Sequence, residues 1–180
     1  GINKLALFKS SFGHHFYKPN SDKGISTKIA QSVTEDSKRR IWIGTDGGGL
    51  DLFDDKNGSF KHFKSIPGNS GSLSSNKILY LLEGENNVLW VCTWDKGLNK
   101  FDTNTGLVKR YENDPANPFS IGQNTVWCAA KDNQKRIWLG TSTAGLNLFD
   151  SEIEKFFQFK NILNNPKSLI SNFVFSLFAD

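Results

Sequence analysis

The side chains best suited to binding chemistry stand together at Trp94-Asp95-Lys96. A flat indole can stack on the apolar face of a sugar ring, while a carboxylate and an ammonium take its hydroxyls. Asp46 and Ser142 hold the place of Trp94 in two similar stretches of the chain. A large aromatic present in one copy only is not needed to build what the copies share. Trp127 is also off pattern, matching Gln31, Leu79 and Phe175. Its equivalents are mostly apolar, so it reads first as core and second as the lining of a channel. Asn76 and Asn124, with Asn172, open successive segments. A turn residue bonding its own backbone is the first reading of each, and ligand contact the alternative.

Other chemistries find less support. His14, His15 and His62 have no acid–nucleophile set around them, so neither catalysis nor metal binding is expected there. Asp102-Thr103-Asn104-Thr105-Gly106 looks like the start of a calcium loop but lacks the bidentate Glu, and reads as a turn. Gly47-Gly48-Gly49 is not followed by the helix a phosphate loop requires. Lys38-Arg39-Arg40 reads as a solvated turn. The two cysteines, Cys92 and Cys128, form neither a disulfide framework nor a zinc motif. Free buried thiols are the first reading, and a bridge is conceivable in an oxidising compartment. No cofactor or metal is called for. The net charge of +4 and pI near 9.0 come from Lys and Arg scattered among Asp and Glu, so no nucleic-acid contact is expected. At 37% apolar and 22% charged residues, with mean hydropathy −0.43, the chain is globular. No apolar run approaches membrane-helix length and no signal peptide is visible. A chain of 180 residues that opens on Gly1 and holds no Met is expected to be a piece of a longer protein.

What positions these residues is a repeat of 48. Ile41-Trp42-Ile43-Gly44-Thr45 returns as Leu89-Trp90-Val91-Cys92-Thr93 and as Ile137-Trp138-Leu139-Gly140-Thr141. Gly49-Leu50-Asp51-Leu52-Phe53-Asp54 returns as Gly97–Asp102 and Gly145–Asp150, and a degraded copy, Gly1–Ala6, precedes them. Each unit reads as four short strands: an apolar strand such as Ile78–Leu82, the Trp strand, an alternating third strand, and an aromatic fourth strand such as Phe60–Phe63. Long polar loops, Pro67–Asn76 and Pro115–Asn124 among them, close the units.

Four strands per unit of this length, rich in Gly and aromatics, define an all-β fold, a β-propeller of four-stranded antiparallel blades. This chain is then an arc of about 3.75 blades. Residues 1–20 supply the third and fourth strands of an incomplete blade; 24–66, 72–114 and 120–162 are blades; 168–180 is the first strand of a further one. Trp42, Trp90 and Trp138 are expected to pack between blades, with Trp138→Ala costing about 3–5 kcal/mol. The loop between strands two and three shares a face with the loop linking successive blades, around the channel mouth. That puts Asp46, Trp94, Asp95 and Lys96 where a ligand would enter.

The pattern I/L-W-I/V/L-G-T, a short turn, G-L-x-x-F-D and an aromatic strand resembles the two-component regulator propeller repeat over essentially the whole chain. Asn113–Ser120 and Asn165–Asn172 match its loops. Cys92, in place of Gly44 and Gly140, departs from it, as does Ala6 in place of Asp. The resemblance implies a periplasmic, non-catalytic sensor region of a membrane-anchored hybrid histidine kinase, responding to an oligosaccharide, with the output domains in the remainder of the parent protein. The alternatives are a scaffold for self-association as a dimer, and a propeller lyase or hydrolase.

Overall fold

In the computed structural model residues 2–5 and 12–179 are described, with backbone alone for 3–5 and 12. Gly1 and Ala6 of the opening copy lie outside the described residues. Those residues form fourteen strands: β1 (Ile2–Leu5), β2 (Phe12–His15), β3 (Ala30–Glu35), β4 (Ile41–Thr45), β5 (Gly49–Asp54), β6 (Ser59–Phe63), β7 (Ile78–Glu83), β8 (Val88–Thr93), β9 (Leu98–Asp102), β10 (Val108–Tyr111), β11 (Val126–Lys131), β12 (Ile137–Thr141), β13 (Leu146–Asp150) and β14 (Lys155–Phe159). They make three four-stranded sheets, β3–β6, β7–β10 and β11–β14, each paired in chain order, and the β1–β2 hairpin. Every pairing is antiparallel. The first strands β3, β7 and β11 lie against one another in succession, so they are the innermost strands of an open propeller arc. Residues 173–179 carry no strand. Val174 N–H donates to Thr141 C=O at 3.0 Å, and no strand among the described residues pairs with this segment.

The repeat writes itself into local geometry. The turn joining the first two strands is closed by Arg39, Asn87 and Lys135, each in the left-handed conformation (φ 63°, 65° and 63°). Trp42 then stands edge-to-face on Phe101 of the next blade, with centroids 5.5 Å apart, and Trp90 on Phe149 at 5.2 Å. These are inter-blade contacts. Among the described residues the one aromatic ring against Trp138 is Phe159 of its own blade, at 5.6 Å, and Trp138 is half-buried.

Cys92 fits the same scheme. A Cβ on Gly44 would lie 2.6 Å from Ile78 Cγ2 of the next blade. In the middle copy the facing residue is the smaller Val126, and Cys92 joins it in the core at 0% exposure. Cys92 and Cys128 are free and buried, and burial pushes both thiols up, Cys128 to about 11.

Candidate binding site at the channel mouth

The loops between strands two and three lean over the innermost strands through one recurrent bond. Asp46 N–H donates to Ile29 C=O at 3.1 Å, Trp94 to Lys77 at 3.0 Å and Ser142 to Thr125 at 3.4 Å. The same loops reach the next blade: Gly47, Gly97 and Gly145 N–H donate to Asn76, Asn124 and Asn172 C=O at 2.8–2.9 Å. So the strand-two–three loops and the blade-linking loops do share a face. The buried Thr45, Thr93 and Thr141 hold each loop shut, donating Oγ1–H to the Gly49, Gly97 and Gly145 carbonyls at 2.8–2.9 Å.

Trp94 is 45% exposed, the largest side chain on this rim, and stands edge-to-face on Trp127 with centroids 5.2 Å apart. Trp127 continues the aromatic row, 5.1 Å from Phe175 and 6.2 Å from Phe173. The sequence places Trp94 and Trp127 33 residues apart, and the fold brings them into contact. The reason is a β-bulge in the first strand of each blade. Register shifts between Ala30 and Ser32, Ile78 and Tyr80, and Val126 and Cys128. Gln31, Leu79 and Trp127 are the extra residues, and a bulge re-aims the side chain it carries. Trp127 is half-buried, and its buried Nε1–H has no hydrogen-bond acceptor among the described residues. It is neither pure core nor bare lining. Phe119, on the loop linking the second and third whole blades, meets Phe157 at 6.1 Å and the Lys155 ammonium at 4.3 Å.

Asp46, Asp95 and Lys96 are exposed on the same rim, and Lys96 Nζ lies 3.7 Å from Glu112. Asn76 and Asn124 are half-buried staples. Their Oδ1 atoms accept Ser65 N–H and Asn113 N–H, both at 2.7 Å, tying the end of one blade to the start of the next. Asn172 does the same with Asn161. A third polar set lies deeper. Asp51, Asn99 and Asn147 are 0% exposed, and their carboxylate or amide oxygens accept the N–H of Ser26, Ser74 and Gly122 at 2.8 Å. His62 Nδ1 pairs with Asp51 Oδ1 at 2.7 Å, so this histidine fills a structural pocket.

Arg40 corrects the reading of 38–40 as a solvated turn. Its Nε–H donates to Asp36 Oδ2 at 2.7 Å, and its Nη groups donate to the carbonyl and Oγ1 of Thr103 on the next blade. Asp36 Oδ2 also accepts Trp42 Nε1–H at 2.9 Å, and the guanidinium lies 5.3 Å from the Trp42 centroid. Burial works against ionisation of Asp36, but the hydrogen bonds from Trp42 and Arg40 outweigh it and hold the carboxyl below its usual value. Asp132, Arg136 and Trp138 repeat the knot, and the indole N–H foremost draws Asp132 down to about 2. The signal was present in the sequence: Asp and Arg occur together in these two copies and vanish together in the middle one, as Gly84 and Val88.

Among the described residues no group of three or more His, Cys, Asp or Glu is placed to hold a metal ion. No helix there is long and apolar enough to cross a membrane.

Sheets, bulges and loops together define an open arc of a β-propeller. The two component regulator propeller family profile matches residues 72–95 and 120–143, so the resemblance drawn from the sequence holds at those two stretches. Among solved structures the chain is similar to the extracellular domains of two proteins named as hybrid two component systems of B. thetaiotaomicron. One is 24% identical over 86% of this chain (TM-score 0.74), the other 21% identical over all of it (TM-score 0.79). The chain spans 21% and 22% of their lengths. Virginiamycin B lyase from Staphylococcus aureus, solved with quinupristin, shares the fold at 14% identity over 91% of this chain and 49% of the lyase (TM-score 0.62). No curated protein matches the chain.

Proposed function

We propose that this chain is part of the extracytoplasmic, non-catalytic sensor propeller of a membrane-anchored two-component signalling protein. In this reading an oligosaccharide binds at the channel mouth, and its binding controls a histidine kinase elsewhere in the parent. The repeat match and the extracellular domains of similar fold support the sensor part. We take 24–66, 72–114 and 120–162 as whole blades, with 1–20 and 168–180 as parts of two more. The observation that carries the ligand is Trp94, an indole off the structural period, 45% exposed and braced by Trp127 at the mouth.

In the full ectodomain, Trp94→Ala is expected to weaken oligosaccharide binding about 5- to 150-fold, the equivalent of about 1–3 kcal/mol, while the melting temperature stays nearly unchanged. Asp95→Asn and Lys96→Ala each weaken it less, as single hydrogen bonds of about 0.5–1.5 kcal/mol. Calorimetric titration checks this. Lost stability with intact affinity would make Trp94 a packing element, and a sugar-turnover assay that yields product would overturn the non-catalytic reading.

A second reading, self-association, rests on the apolar surface beside the third blade. Ile170, Phe178 and Phe175 are 99%, 91% and 62% exposed there, and Trp138 lacks the cross-blade ring that covers Trp42 and Trp90. The chain on its own is expected to dimerise through this surface. A monomeric mass by light scattering at tens of micromolar, with native β circular dichroism, rules that out.

A further inference from the structure

The repeat supplies an internal control for every inter-blade space, and one space departs from it. Between the first and second whole blades, on the face opposite the channel mouth, a cleft of only about 10 Å³ is lined by Asp36, Arg40, Val88 and Thr103 among others. Each of its lining residues, advanced by 48, lines the corresponding cleft between the second and third blades, which is about 580 Å³. That volume falls within the range of small-molecule sites. The cause is local. Arg40 fills the first cleft and is held by Asp36 and Thr103. In the second, Val88 stops short of Ser151, the counterpart of Thr103, and Gly84 replaces the aspartate. A Cβ at Gly84 would lie 2.7 Å from Trp90 Nε1, so the indole has taken the room of the missing carboxylate and the knot cannot re-form.

The exchanged residues also change the charge. Lys131 stands where the first cleft has Glu83, Lys135 where it has Asn87, Arg136 where it has Val88, and Lys100 where the first and third blades have Leu52 and Leu148. Lys135 pairs with Glu85 across the cleft at 2.7 Å, and Arg136 with Asp132 at 2.6 Å. Lys100 and Lys131 make no ion pair within 4.0 Å among the described residues, and the Lys100 ammonium lies 5.9 Å from the Trp90 centroid. Three acids line the cleft: Glu85 is paired with Lys135, Asp150 Oδ1 accepts the N–H groups of its own turn, and Glu152 makes no ion pair within 4.0 Å among the described residues. The cleft therefore offers an apolar wall of Trp90, Val88 and Ile137 beside two ammonium groups that feel Glu154 and Glu85 at a distance but have no ion-pair partner within 4.0 Å among the described residues.

We propose that this cleft is a second ligand site, separate from the channel mouth, for a small organic anion: a carboxylate on an apolar ring-sized body. The carboxylate meets Lys100 and Lys131, and the ring fills the space that the Arg40 side chain occupies one blade earlier.

Benzoate, benzyl alcohol and benzylamine share a ring and differ in charge, so they separate an anion site from a greasy cleft. The readout is the indole N–H resonance of Trp90 in the full chain, assigned by Trp90→Phe. Benzoate is expected to shift it saturably at millimolar concentration, benzyl alcohol to bind at least about fivefold more weakly and benzylamine not at all, since one charge-assisted contact is worth about that much or more. Val88→Arg restores the residue of the first and third copies. It should weaken benzoate at least about tenfold by filling the cleft. Lys100→Leu installs the leucine of the other two copies, so folding tolerates it, and it should weaken benzoate severalfold while sparing benzyl alcohol. Equal binding of all three probes, no shift with benzoate, or unchanged benzoate affinity in Lys100→Leu overturns the proposal, whatever Val88→Arg does to folding.

Discussion

Trp42→Ala is expected to destabilise the chain by about 3–5 kcal/mol, and Trp138→Ala by clearly less. Trp42 is 0% exposed and packed between Phe101 at 5.5 Å and Phe63 at 5.9 Å. Truncation opens a cavity between two blades whose rigid sheets collapse only partly around it. It also removes one of the N–H groups that Asp36, itself 6% exposed, accepts, while Arg40 Nε–H stays on the same oxygen, so the carboxylate loses a single buried hydrogen bond. The repeat alone made Trp138 an equal target. Among the described residues Trp138 meets no third-strand phenylalanine of a following blade, so in this chain the larger effect falls on Trp42. Urea midpoints of the two variants test this. Equal losses would mean that the inter-blade ring contact contributes little.

Gly97→Ala is the other large effect, expected at about 2–4 kcal/mol. Gly97 has φ +67°, a conformation that disfavours any L side chain, and its Cβ would lie 2.2 Å from the Tyr111 carbonyl oxygen. That atom is backbone, so relief requires the fourth strand to move. Gly49 and Gly145 face Phe63 and Phe159 carbonyls at 2.3 and 2.2 Å, which is why one residue type recurs there. Gly58 is the control: its φ is +68°, nothing lies within 4 Å of its Cβ, and Gly58→Ala should show only the conformational part, about 1 kcal/mol. If the two alanine variants melt together, the close approach to Tyr111 is not what selects glycine.

Periodicity made most of the architecture readable. A motif returning every 48 residues assigns strands, turns and faces for all copies at once, because identical placement serves a shared packing need. It also sorted Trp94 from the structural tryptophans, and the structure puts Trp94 on the rim where the loop argument placed it. The polar network was harder to read. Asp36 and Arg40 sit in a stretch whose composition suits a wet turn, and nothing local reveals that the guanidinium crosses to Thr103, 63 residues away. Asn76 and Asn124 were placed correctly on linking loops, but the atoms they hold, Ser65 N–H and Asn113 N–H, belong to the preceding blade.

By itself, then, the sequence determined the repeat, the four-stranded unit and the residues that break the period, since these depend on local pattern and on comparison between copies. Only the tertiary structure decided what the breaks do. Trp94 and Trp127 become one aromatic pair because a bulge in the innermost strand turns Trp127 toward the loop of the preceding blade. Gly84 and Val88 become a cleft because the space they vacate lies between two blades, and such a volume is set by both walls at once. Residues that meet only through blade stacking leave no mark on the period, so their partners emerge only when the sheets are placed side by side.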